Sequence, residues 1–77
     1  MFNIQLDISA ETTFPQVQQF ANDHGCAATL LQANGPAGGN PLYLFQSEKF
    51  DYLDELASQV LGVNTDMEFI KTSIWES

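Results

Sequence analysis

SEKFDYLDELASQVLG, from Ser47 to Gly62, reads as an amphipathic helix with two unlike sides. Phe50, Leu53, Leu56, Ala57, Val60 and Leu61 recur at three- and four-residue steps and so share one face. Glu48, Asp51, Asp54 and Glu55 fall together on the opposite side. The apolar side requires a sheet to lie on. The acidic side requires water or a basic partner. Ser47 or Asp51 would start this helix and Gly62 would stop it. The carboxylates in its first half also suit the positive end of the helix dipole.

Working back from Ser47, Leu42 to Gln46 is a strand apolar on both faces, as central strands often are. Asn34 to Pro41 is a loop, because Gly and Pro break regular structure there. Cys26 to Ala33, CAATLLQA, is a further strand whose small residues allow another element to approach closely. The two strands form a hairpin with a long connection. Before them lies a short helix. Thr13 and Gln16 have capping-box spacing, Pro15 fits a first turn, and Gly25 follows Asp23-His24 as the C-terminal cap. Its apolar stripe is Phe14, Val17, Phe20 and Ala21. Phe2 to Ser9 alternates without a fault, with Phe2, Ile4, Leu6 and Ile8 on one side and Asn3, Gln5, Asp7 and Ser9 on the other. Downstream of the acidic helix, Asn64-Thr65-Asp66 is a turn and Met67 to Trp75, MEFIKTSIW, reads as a last strand. Met67 and Phe69 share one parity and Ile70 and Ile74 the other, which suits an edge strand with a bulge.

The order is β-α-β-β-α-β. Two crossovers around a hairpin predict an α+β, ferredoxin-like βαββαβ fold, a four-stranded antiparallel sheet with two helices on one face. The first and third strands are then central. A looser α+β sandwich is the alternative. Residues 1–77 make a single domain, and one this small buries about 60% of its unfolded surface.

Charge narrows the function classes. The chain carries ten acids against two lysines, Lys49 and Lys71, for a net charge of −8. Neutralising phosphates takes Lys and Arg, so direct binding of nucleic acid or an anionic membrane is not expected. A basic protein is the electrostatically sensible partner. The plainer account is that acidity keeps a small cytoplasmic protein soluble. Cys26 has no second cysteine to pair with, which suits a reducing cytoplasm. No signal peptide and no membrane-spanning run is expected from the pattern.

No residue set names a chemistry. Acyl-phosphate hydrolysis would need an arginine, and copper transfer would need two cysteines. His24-Gly25-Cys26 offers two soft ligands, too few for zinc, and poor geometry for a nucleophilic pair. The Ala33–Gly39 stretch lacks the lysine and hydroxyl of a phosphate loop. Asp51, Asp54 and Glu55 at helical spacing do not wrap a cation as a looped acidic motif does. We therefore expect no catalytic residues, no metal and no cofactor.

Two functions stay open. In the first, Glu48, Asp51, Asp54, Glu55, Asp66 and Glu68 form an acidic contact surface, with Glu76 extending the field. In size, acidity and single-domain build the chain resembles small phage-encoded inhibitors of bacterial defence, such as anti-CRISPR proteins. Those proteins share no motif, so the resemblance transfers no site. It implies a non-enzymatic inhibitor, acting in the host cytoplasm, that occupies a basic groove of a nucleic-acid-binding protein. In the second, the chain is a regulatory or interaction module, a homodimer across the open sheet face with Tyr43, Phe45, Phe69 and Trp75 as apolar contacts. Trp75 could equally close over the core.

Overall fold

A computed structural model describes residues 1–33, 39–62 and 65–77. The alternating stretch forms β1 (Phe2–Asp7), and its two sides separate as expected: Ile4 and Leu6 are buried, Gln5 and Asp7 exposed. β2 (Ala27–Gln32) and β3 (Leu42–Ser47) form the hairpin. β3 lies antiparallel to β1, with Ile4 opposite Phe45 and Leu6 opposite Tyr43. A two-residue strand, β4 (Trp75–Glu76), pairs antiparallel with Phe2 and Asn3. The sheet order is β2-β3-β1-β4, which makes the first and third strands central.

Local chemistry sets α1 (Phe14–Asp23). Thr13 Oγ1 accepts from the Gln16 N–H while the Gln16 side chain accepts from the Thr13 N–H at 2.8 Å, so both halves of the capping box form. At the other end the Gly25 N–H reaches the Asn22 carbonyl and the Cys26 N–H the Ala21 carbonyl. This Schellman pairing needs a left-handed residue, and Gly25 supplies it at φ +69°. α2 (Phe50–Leu61) buries Leu53, Leu56 and Ala57, with Phe50 and Val60 packed against the same core. Val17 and Ala21 of α1 join Ile4, Tyr43, Phe45 and the α2 residues in one cluster. The helices therefore cover one side of the sheet.

Several expectations are corrected. Met67 to Trp75 is not one strand: α3 (Met67–Ser73) occupies most of it and packs against α2, and only Trp75 falls in β4. Asp66 caps this helix by accepting from the Glu68 N–H at 3.0 Å. Only Ile70 and Ile74, four residues apart, are buried there. The element string is thus β-α-β-β-α-α-β rather than βαββαβ, with three helices among the described residues instead of two. α2 starts at Phe50, not at Ser47, because Ser47 belongs to β3. Its hydroxyl donates to the Gly25 carbonyl at 3.1 Å and accepts from the Lys49 N–H. Lys49 is the N-cap and makes no side-chain capping bond. Leu61 leaves the expected apolar face and is exposed. Most of the expected Asn34–Pro41 loop, and Asn64 of the expected turn, lie outside the described residues.

The open side of the sheet departs most from expectation. Tyr43 and Phe45 point to the helices, since they pair with Leu6 and Ile4 and are buried. They cannot supply contacts on the open face. Phe69 is on α3 and exposed. Trp75 alone of the four is placed there by its pairing with Asn3, and it is 43% exposed, so it is no lid over the core. Asn3 beside it is buried. Its Nδ2 lies 3.1–3.2 Å from Met1 O, Trp75 O and Ser77 Oγ, and its Oδ1 accepts from Gln46 Nε2 at 2.8 Å. One amide thus ties both chain ends to the sheet.

Candidate functional site

The acidic residues are the chemical feature of the sequence that needs a location. Asp51 and Glu55 are exposed on successive turns of α2, so their Cβ atoms are about 5–6 Å apart. Glu48 is exposed just ahead of the helix, beside Lys49. Asp51 lies in the first turn, where the positive end of the helix dipole favours a carboxylate. These three are the members of the expected set that share one end of α2.

The rest are distributed otherwise. Asp54 is half-buried, and its Oδ1 is enclosed with no hydrogen-bond partner among the described residues. It sits on the flank of the helix, not on the outward face, because at about 3.6 residues per turn residue 54 lies about 60° from Ala57 and about 100° from Leu53. Asp66 and Glu68 are exposed at the start of α3. The Thr65 N–H donates to the Gly62 carbonyl at 3.2 Å, which holds that start beside the C-terminal end of α2. Asp66 is also engaged as a cap, so part of its charge is directed into the helix.

Asp23 joins the group, and sequence reasoning missed it. Asp23, His24, Gly25, Tyr52 and Glu55 line one shallow open hollow of about 340 Å³ between the end of α1 and the flank of α2. Asp23 belongs to another element, so no spacing rule connects it with Glu55. The close approach at Gly25 makes this possible. A Cβ there would lie 2.6 Å from Tyr52 Cδ2. Gly25→Ala is therefore expected to destabilise the fold twice over. The left-handed backbone contributes about 1–2 kcal/mol, and displacing the Tyr52 ring adds to it. In a Tyr52→Ala background only the backbone part should persist. Urea denaturation of the four proteins in this double-mutant cycle measures the difference.

His24 and Cys26 are occupied structurally. His24 Nδ1 donates to the Phe20 carbonyl at 2.8 Å, and its ring packs on Phe20 with centroids 4.6 Å apart. Cys26 is buried and donates to the His24 carbonyl at 3.4 Å. Burial pushes its thiol up from the ordinary value, against a smaller opposing pull from the Ser47 side chain. That is the opposite of an activated nucleophile. Among the described residues no group of three or more His, Cys, Asp or Glu side chains converges on a point. A second hollow, about 380 Å³, opens at the end of β1 between Asp7, Ser9, Thr12, Val17, Phe20 and Val60. Its floor is apolar and no acid–base pair faces it. No helix among the described residues is long and apolar enough to cross a membrane.

No family model, no curated protein and no solved structure matches the chain.

Proposed function

We propose that the protein is a non-enzymatic acidic binding protein that blocks a basic, nucleic-acid-binding surface of a partner protein. It acts as an inhibitor or nucleic-acid mimic, in the manner of anti-CRISPR proteins, in the cytoplasm of a host cell. The supporting observation is the exposed carboxylate group at one end of α2: Glu48, Asp51 and Glu55, with Asp23 on the same hollow as Glu55. Carboxylates along a helix with about 1.5 Å rise per residue sit roughly 5–10 Å apart. Phosphates along a nucleic-acid strand, whose axial repeat is 3.4 Å, are separated by a comparable about 6–7 Å. A basic groove that accepts the one can therefore accept the other. The field of a chain with net charge −8 draws such a partner in, and contact at α2 excludes the nucleic acid. Asp66 and Glu68 extend the field at the other end of α2. The scaffold is a variant of the split β-α-β, ferredoxin-like arrangement, with two helices in its second connection instead of one.

The test is titration into an RNA-guided nuclease complex, with target-DNA binding as the readout. Inhibition should weaken steeply with added salt. Replacing Asp51 and Glu55 together by lysine should weaken it by at least about tenfold, since each reversal turns an attraction into a repulsion worth about 1 kcal/mol or more. Inhibition that survives both the salt and the reversal would remove the acidic surface from the mechanism.

A further inference from the structure

We infer that two copies of this chain pair through the outer edge of β2, joining their sheets into one of eight strands. The sheet has two edges, and they are finished differently. On one side β4 is only two residues long. Beyond it, Gln5, Leu6 and Asp7 of β1 border a hollow shared with Leu61, Phe69 and Ser73, so α3 shields that margin. On the other side β2 runs for six residues and pairs, among the described residues, with β3 alone. Alternate N–H and C=O groups along such a strand face outward unpaired. Natural edges of this length carry lysine, proline, an inward charge or a strong bulge to prevent pairing. β2 has none of the first three, and its one register shift, between Leu30 and Gln32, leaves Ala27 to Leu30 regular.

The occupant follows from charge. From Gly25 to Ser47 there is no Asp, Glu, Lys, Arg or His, so all twelve charged side chains and the histidine lie outside the hairpin. Two chains of −8 repel each other wherever their helices meet. The β2 edge carries no charged side chain, so two copies can approach there without setting like charges against each other on the pairing strands. A basic partner finds no carboxylate on this strand and is drawn to α2 instead. Self-pairing is also sterically matched. A two-fold axis at Thr29 sets Thr29 opposite its own mate and Leu30 over Ala28, large against small on the helix side of the sheet. Leu30 and Leu31 are exposed, and Phe14, also exposed, stacks on the buried Tyr43 that lies opposite Leu30, with centroids 6.1 Å apart. These three give the edge an apolar flank for the second copy to cover.

Sedimentation velocity over a range of concentrations tests the pairing. The mass should move from one chain to two, and added salt should tighten the dimer, because it screens repulsion between like-charged chains. Thr29→Lys with Leu31→Lys should raise the dissociation constant by at least about tenfold while leaving the circular dichroism unchanged. Amide exchange of the unaltered protein gives a readout that needs no variant: exchange in β2 should slow as concentration rises, and exchange in β1 should not. A chain that stays monomeric throughout would overturn the inference. So would a dimer that withstands both lysines, one that loosens with salt, or one broken by Trp75→Asp on the open face. Charge reversal at Asp51 and Glu55 should leave the dimer intact, so failure here and failure of the acidic-surface proposal are separately visible.

Discussion

Phe45→Ala is expected to lower stability by about 3–5 kcal/mol, the largest effect of any single truncation considered for this chain. Phe45 is fully buried on the central strand β3. Its neighbours across the two ladders are Ile4 on β1 and Ala28 on β2, and the Tyr43 ring is 6.1 Å away. Two strands and the helix layer therefore meet at one side chain, and no single neighbour can move to fill the space it leaves. A domain of 77 residues has about 4–12 kcal/mol in total, at roughly 0.05–0.15 kcal/mol per residue. The loss is thus about a quarter of the whole or more. The melting temperature should fall by roughly 12–40 °C, at about 4–8 °C per kcal/mol for a domain of this size. Thermal and urea melts followed by circular dichroism measure both quantities. Leu30→Ala is the control: Leu30 lies on the same side of the sheet, opposite Tyr43, but is exposed, and its loss should register within about 0.5 kcal/mol. Equal effects from the two truncations would mean that the core does not centre on β3.

The contrast between Phe45 and Leu30 also shows what the amino-acid pattern could and could not convey. β1 was legible because one of its faces is buried and the other wet, which imposes a two-residue period. α1 was legible because Thr13, Gln16 and Gly25 act on backbone groups within a few residues of themselves. β3 read as apolar on both faces, and its central position bears this out: Tyr43 and Phe45 are buried on one side, Leu42 and Leu44 half-buried on the other. What no local pattern could say was which face the helices cover, so Tyr43 and Phe45 were available on paper for an interface they cannot reach. Asn3 is a similar case. It occupies a polar position in the alternation yet is buried, because its partners, Trp75 and Ser77, come from the far end of the chain. The acidic set was legible on α2 and illegible beyond it. Asp23 and Glu55 line one hollow where Gly25 lets the end of α1 pass close to Tyr52.

α3 was misread for a reason that can be checked by mutation. Met-Glu-Phe-Ile-Lys-Thr-Ser-Ile-Trp is rich in β-branched and aromatic residues, and that composition favours a strand. The helical signals are sparser: Asp66 as a cap, Glu68 in the first turn, Lys71 in the last, and Ile70 and Ile74 at a four-residue step. Hydroxyls of Thr72 and Ser73 donate back to the Glu68 and Phe69 carbonyls at 2.9 and 2.7 Å, which suits these residues to a helix end. The two alternatives assign opposite weights to neighbouring residues. In the helix Ile70 is buried and packs into the cluster with Leu53, Leu56 and Phe45, while Phe69 is 57% exposed. Ile70→Ala should then lower stability by about 2–4 kcal/mol, and Phe69→Ala should change it by about 0.5 kcal/mol or less. An edge strand with a bulge would let Phe69 share the burial and would reduce the gap between the two. Trp75, the only tryptophan, reports the same event by fluorescence. It follows Ile74 directly and is held in β4 by pairing with Asn3. Loss of the Ile70 anchor should release Ile74 with it and shift the Trp75 emission to the red at urea concentrations where the Phe69→Ala protein still shows native emission. A larger loss from Phe69→Ala than from Ile70→Ala would put the strand back in place of α3.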